Sequence, residues 1–319
     1  MPLVSVVIPM RNAEPWIEST LRSVLSQEGI ELEVVVVDDG STDRSRAKVE
    51  SIAFADARVR CVAGPQRGIS ASFNAGLSSA TGEFLARCDA DDLYPPGRLV
   101  RQLAWLTSRS DFVAVSGGYA TITPGGRLVD EFIARDGRDD VTDELLHGKG
   151  RSHVCAYLFR TATLREMGGC REWFETSEDA DLQFRLAERG RIGYEPVVSY
   201  LYRLHDASVT HRVRSARREF FERCAREFAL QRRERREDEL MRGSPPTPPP
   251  HGQTDAQSTR SQVQRMLLGR AWREHANGRK WEAVKLGVRA AAMAPGNLSA
   301  WRSAAALVVK RSGIGRAKA

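Results

Sequence analysis

No stretch of the 319 residues is long and apolar enough to span a bilayer; the longest runs, such as Val34–Val37, are strand-sized. Cysteine is scarce and unpatterned. Cys61, Cys88, Cys155, Cys170 and Cys224 show no Cys-x-x-Cys spacing, and their odd count fits neither a disulfide framework nor a zinc site. They are expected to be reduced, buried thiols. The N-terminus, Met-Pro-Leu-Val-Ser-Val-Val-Ile-Pro, lacks a basic region and a cleavage motif, so residence on the cytoplasmic side is the expectation. Glycine is missing from the exit of the first predicted strand, Pro9-Met10-Arg11-Asn12-Ala13-Glu14, which argues against a phosphate-cradling glycine loop there. The basic segments lack interleaved aromatics and any recognition module, so nucleic acid is not an expected partner.

What is present is an ordinary globular composition, 41% hydrophobic and 28% charged, enough for one large domain or two smaller ones. The net charge of +7 is unevenly spread, with arginine dense in Arg212–Arg242 and no acid in the tail from Arg302 to Lys318. Such segments meet anionic lipid at a membrane periphery, or they are solvated helix faces with intrahelical ion pairs, as the Glu–Arg interleaving of Arg218–Arg236 allows.

Strands and helices alternate through the first third. Leu3–Pro9, Glu33–Val37, Val59–Ala63 and Glu83–Cys88 read as strands, and Glu14–Gln27, Ser45–Ala53 and Ser70–Ser79 as helices. The four successive valines Val34–Val37 predict a strand buried on both faces. Alternation of this kind predicts a parallel, doubly wound sheet whose ligands bind beyond the strands' carboxyl ends. Further on, Phe112–Val115, Ala156–Phe159 and Val197–Arg203 read as strands, Leu145–Lys149 as a helix end, Glu178–Arg189 as a helix, and Arg212–Met241 as a long charged helix. The stretch Gly243–Gln257, with Ser-Pro-Pro-Thr-Pro-Pro-Pro, is a proline-rich linker. Beyond it, helices over Gln262–Asn277, Trp281–Met293 and Ser299–Val309 resemble one tetratricopeptide-type unit, which needs a docking surface on its own chain or on a protein partner.

Two acidic turns fall at strand ends: Asp38–Asp43, and Asp89–Asp92 with three acids in four positions. Clustered carboxylates repel unless a cation or polar ligand sits among them, and hard oxygen donors suit Mg2+ or Mn2+ carrying a diphosphate. A solvated acidic turn is the alternative.

Taken together, Val4–Asn12, Val36–Asp43, Gly68–Gly76 and Asp89–Asp92 resemble, in order and spacing, the family 2 glycosyltransferases over about residues 1–210. The resemblance implies an α/β fold of the GT-A type, a Rossmann-like, mostly parallel sheet flanked by helices. Here a C-terminal α-helical extension is added, giving 1–210 as the transferase domain, 211–242 as a charged helical extension, 243–257 as linker and 258–319 as a small helical region. It also implies an inverting transferase that takes a nucleotide-sugar donor, a UDP-sugar first, with Mn2+ or Mg2+. The acceptor would be a glycan or a lipid-linked glycan.

The same resemblance assigns roles. Asp39 would take the imide hydrogen of uracil, with Gly40 supplying the turn, and Pro9 and Asn12 would hold base or ribose. Arg67 would reach the diphosphate or be a solvated loop arginine. Where the family has Ala-Arg-Asn, this chain has Ser72-Phe73-Asn74, so the arginine is missing at position 73. Asn74 is expected to fix its helix against the base pocket. Asp89 would hold ribose or the metal's water shell, Asp91 the metal, and Asp92 would orient its neighbours. Asp179, second acid of Glu178-Asp179, would be the general base, helix-dipole stabilisation being the alternative. His205, with His211 as competitor, would complete the metal shell. Trp173 and Phe174 would stack on an acceptor sugar or pack beneath their loop. Two rivals remain: a sugar-phosphate nucleotidyltransferase and a non-catalytic nucleotide-sugar-binding scaffold.

Overall fold

The structure is a computed structural model and describes residues 1–206, 216–250, 258–310 and 312. The positions of His211, of the start of the expected charged helix and of part of the proline-rich segment lie outside the described residues. Contacts divide the chain into two units, Met1–Tyr119 with Phe132–Tyr202 and Arg214–Gly252, and Ala120–Glu131 with Arg203–Val213 and Gln253–Ala319. The charged helix thus falls with the first unit, a division that composition alone does not draw.

In the first unit the apolar runs become strands β1 (Leu3–Met10), β2 (Glu31–Asp38), β3 (Val59–Ala63) and β4 (Phe84–Arg87), which pair in parallel in the order β3-β2-β1-β4. Val34–Val37 are fully buried, as a strand covered on both faces requires. Helices α1 (Ile17–Leu25), α2 (Ser45–Ala55) and α3 (Ile69–Ser79) make the crossovers. At Gly76 a Cβ would come within 2.2 Å of Val7 Cγ1, so only glycine lets α3 lie this close to the sheet.

Beyond β4 the sheet turns antiparallel. β7 (Leu158–Arg160) pairs antiparallel with both β4 and β5 (Phe112–Ile122), and β8 (Arg191–Arg203) pairs with β5. The result is a mixed sheet rather than a wholly parallel one, because β7 runs between β4 and β5 in the opposite direction. Two helices lie outside the segments read as helical from sequence, α4 (Arg98–Thr107), although its buried Leu99, Leu103 and Leu106 recur at helical spacing, and α6 (Thr161–Glu166); a shorter one, α5 (Thr142–Leu146), lies near the expected helix end. The first residue of α4, Arg98, is wholly buried with its guanidinium 3.9 Å from the Tyr94 ring centroid and donating to Tyr157 O at 3.0 Å.

α7 (Glu178–Ala187) and α8 (Ala216–Arg235) pack together. Despite its charge, α8 buries Phe220, Phe221, Cys224, Ala225 and Phe228. A buried ion network ties the two helices: Asp181 accepts from Arg171 and Arg185, and Asp238 accepts from Arg171 and Arg232 at 2.6 Å. All five cysteines are free thiols, four of them buried.

The second unit contains the end of β5, most of β6 (Leu128–Phe132) and helices α9 (Thr259–Ala276), α10 (Lys280–Met293) and α11 (Leu298–Val309). Its core is small-residue packing, Ala271, Ala283 and Leu307 in one cluster and Ala291, Ala300 and Ala304 in another. The helical region finds a docking surface within its own unit. Arg270 donates to Val129 O at 3.1 Å, Arg289 donates to Leu128 O at 3.3 Å, and Arg273 pairs with Asp130.

Candidate active site

The carboxyl ends of β1, β2 and β4 lie side by side, with Met10 opposite Asp38 and Val7 opposite Arg87. Both acidic turns therefore emerge at one edge of the sheet. Asp39 is buried and donates its backbone N–H to Met10 O at 2.8 Å. Its carboxylate accepts from the backbone N–H of Gln66 at 2.7 Å and of Gly68 at 2.9 Å. Delivering those two donors bends the loop into the left-handed region, φ 58° at Gln66 and φ 91° at Gly68. Each oxygen of Asp39 keeps a lone pair for a further donor.

Asn12, also left-handed at φ 52°, joins the exits of β1 and β2. Its N–H donates to Ser41 Oγ at 3.0 Å, and its side-chain oxygen accepts from Thr42 N–H at 2.8 Å. Pro9 is buried within β1 opposite Val37. Arg67 is exposed and pairs with Glu172 at 3.4 Å. Asn74 makes a two-way bond with Cys170, donating to its carbonyl and accepting from its N–H, both at 2.8 Å. This residue fixes α3 against the loop at Cys170.

In the second acidic turn the three acids have different partners. The turn closes through Asp92 N–H donating to Asp89 O at 3.1 Å. Asp92 is fully buried and accepts from Tyr200 Oη–H at 2.6 Å, while that oxygen accepts from Asp89 N–H at 3.1 Å. Asp92 thereby orients the backbone of Asp89 through Tyr200. Asp91 is half-buried at the turn itself.

Asp89 accepts from Arg87 Nε at 2.9 Å, and the other end of the same guanidinium donates from Nη1 to Glu178 Oε1 at 3.1 Å. Burial pushes the Asp89 carboxyl up, but Arg87 outweighs it and holds the group below the usual carboxylate range. Glu178 goes the other way, raised by burial more than Arg87 lowers it. Arg87 thus brings the N-terminal turn of α7 to the end of β4. Asp179, half-buried, is the next residue of that turn, set by a left-handed Ser177 at φ 61°.

Asp89, His153 and Cys155 place one potential ligand atom each within 4.8 Å of one another. This set does not fit Mg2+ or Mn2+: burial pushes the Cys155 thiol well above its ordinary range, and Arg87 already compensates Asp89. His153 instead stacks on the Tyr200 ring, centroids 5.6 Å apart and planes 5° apart. His205 lies in the second unit, buried two residues after β8.

Trp173, half-buried, and Phe174 pack into one aromatic cluster beneath their loop. Phe174 is buried, and Trp173 meets Phe174, Phe221 and Phe228 at 5.0–5.5 Å between centroids. Arg87, Tyr200 and His153 were not found from sequence. Of these only Arg87 left a signal, a lone charge inside the apolar strand Phe84-Leu85-Ala86-Arg87.

The family model described as Glycosyl transferase family 2 matches residues 5–166. The chain is 28% identical over 234 residues to the uncharacterized glycosyltransferase EpsJ of Bacillus subtilis (strain 168), covering 66% of this chain and 63% of that protein. It therefore spans less than two thirds of that relative. Among solved structures, S. aureus TarS residues 1–349 in complex with UDP-GlcNAc superposes with a TM-score of 0.58 at 17% identity, over 92% of this chain and 82% of the other. Mannosyltransferase PcManGT from Pyrobaculum calidifontis, in complex with GDP-Man and Mn2+, gives 0.55 at 23% identity, over 97% and 81%. These likenesses place the fold with the GT-A glycosyltransferases.

Proposed function

The chain belongs to glycosyl transferase family 2, and from that membership we propose that it transfers a sugar, with inversion, from a nucleotide-sugar donor to a hydroxyl of a glycan or lipid-linked acceptor on the cytoplasmic side. The observation that carries the reading is the Arg87 bridge, 2.9 Å to Asp89 and 3.1 Å to Glu178, which sets a donor-side acid and the Asp179 turn within one guanidinium's reach.

In this reading Asp39 takes the imide N–H of uracil, and the Pro9–Asn12 strand exit borders the base and ribose. Arg67 swings from Glu172 to the diphosphate. Asp89 serves ribose, and Asp91 and His205 are the metal ligands that the family resemblance implies. A divalent ion held there, Mn2+ or Mg2+, would spread the negative charge that develops on the departing nucleoside diphosphate. Asp179 removes the acceptor hydroxyl's proton as that oxygen attacks the anomeric carbon. The bond from that carbon to the diphosphate oxygen breaks on the opposite face, and the electron pair leaves with the nucleotide. Asp179 stands in the first turn of α7, beside Glu178.

The test is nucleoside diphosphate release from UDP-, GDP- and dTDP-sugars with Mn2+, for the native chain and for Asp179→Asn. Expected is release by the native chain and a loss of about 100- to 10,000-fold in the variant, with nucleotide binding unchanged. Native-level release by Asp179→Asn would remove it as the base. Pyrophosphate as the product would instead support the nucleotidyltransferase.

A further inference from the structure

The second unit has its apolar surface arranged the wrong way round for a helix in water. α11 buries Ala300, Ala304 and Leu307, and turns outward Leu298 at 69% exposure, Trp301 at 40%, Val308 at 52% and Val309 at 82%. A helix that packs only against its own chain puts its large apolar residues inside. α10 repeats the arrangement: Ala283, Gly287, Ala290 and Ala291 face in, while Trp281 at 79% and Val288 at 46% face out, with Lys285 between them at helical spacing.

Charge is segregated in the same unit. Residues 258–319 hold 13 Lys and Arg against 2 Asp and Glu, an excess larger than the net +7 of the whole chain, so the remainder is net acidic. Glu282 is the last acid in the sequence, and it is already paired with Lys285 at 2.8 Å. Every charged residue on or after α11, beginning with Arg302 and Lys310, is positive.

We propose that the outward faces of α10 and α11 dock on an anionic lipid surface. Tryptophan and aliphatic side chains at a helix surface, among Lys and Arg with Glu282 the only acid on either helix, are the composition that lies in a headgroup layer: the apolar groups enter the acyl boundary and the cations meet lipid phosphate. The charge argues against a second copy as the occupant, since two such faces would bring like charges together. This inference stands apart from the transfer reaction, because vesicle binding is read without substrate.

The experiment is flotation of the full chain with vesicles of phosphatidylcholine alone and with equal parts phosphatidylglycerol, at low and high salt. Parallel samples carry Leu298→Ser with Val309→Ser, and Arg302→Glu with Lys310→Glu. These side chains are exposed, and far-UV circular dichroism verifies that the helices remain. The native chain is expected to float with the anionic vesicles only and to be released by salt. The charge-reversal pair should cost more than the about fivefold per residue of simple charge removal, and the serine pair should lower partitioning about tenfold or more. Equal flotation with neutral vesicles, no flotation of the native chain, or native-like flotation of either variant would overturn the proposal. So would a dimer by light scattering that the serine pair dissociates in a chain that ignores vesicles.

Discussion

Arg87 is the residue on which the site's geometry turns. It is buried with two carboxylates, so it satisfies both charges while its planar fork fixes the directions from which they approach. Its guanidinium also lies 5.9 Å from the centroid of Phe73, the position where the family resemblance has an arginine and this chain does not. A cation supplied from β4 therefore stands beside the place vacated on α3. Arg87→Lys keeps the charge but loses the fork. The expected outcome is a kcat about tenfold lower, the loss of one charge-assisted bond, with KM for the donor little changed; Arg87→Met should also lower stability by ~3–5 kcal/mol. Steady-state kinetics beside a thermal melt separate the two effects, and native kcat in Arg87→Lys would deny Arg87 a positioning role. The acids themselves were legible because carboxylates stand out at the ends of valine-rich strands. Arg87, Tyr200 and His153 were not, because their meaning comes from partners distant in sequence: Glu178 lies 91 residues from Arg87, and Tyr200 lies 108 residues from Asp92.

At the level of elements, α8 is the piece that charge counting misreads. Its Glu–Arg interleaving describes the outer face, whereas Phe220, Phe221 and Phe228 close over Trp173 and Phe174. The loop that leads into Glu178 and Asp179 is thus held by an aromatic cluster, with the Arg171–Asp181–Asp238–Arg232 network beside it. Phe228→Ala is expected to cost ~3–5 kcal/mol as a buried aromatic truncation. Activity should fall at temperatures below the shifted melt because the α7 start loosens. Denaturant midpoints for the native chain and Phe228→Ala check the first part, and an unchanged midpoint would show that α8 is a dispensable appendage. The parallel half of the sheet was readable for the converse reason: β1 to β4 are continuous apolar runs separated by periodic helices. β5 and β8 gave weaker signals, since Ser116 and Ser199 are buried within them and are satisfied by partners distant in sequence, Gly193 O and Arg101.

Across the whole molecule, the first unit gathers its acids at the carboxyl edge of β1, β2 and β4, and the second concentrates the positive charge in its helices. The proposed division of labour follows, with donor chemistry in the sheet-based unit and surface attachment in the helical one. Among the described residues no helix is long and apolar enough to cross a membrane, so attachment of this kind would be peripheral. In the proposed function the acidic turn after β4 binds a nucleotide through a divalent ion. Calorimetric titration of UDP, GDP and dTDP into the native chain and Asp91→Ala, each with and without Mn2+, tests it most directly. UDP is expected to bind the native chain with Mn2+ and to weaken about 10- to 100-fold when either the ion or the Asp91 carboxylate is removed. Binding of no nucleotide under any condition, or equal binding by Asp91→Ala, would contradict it.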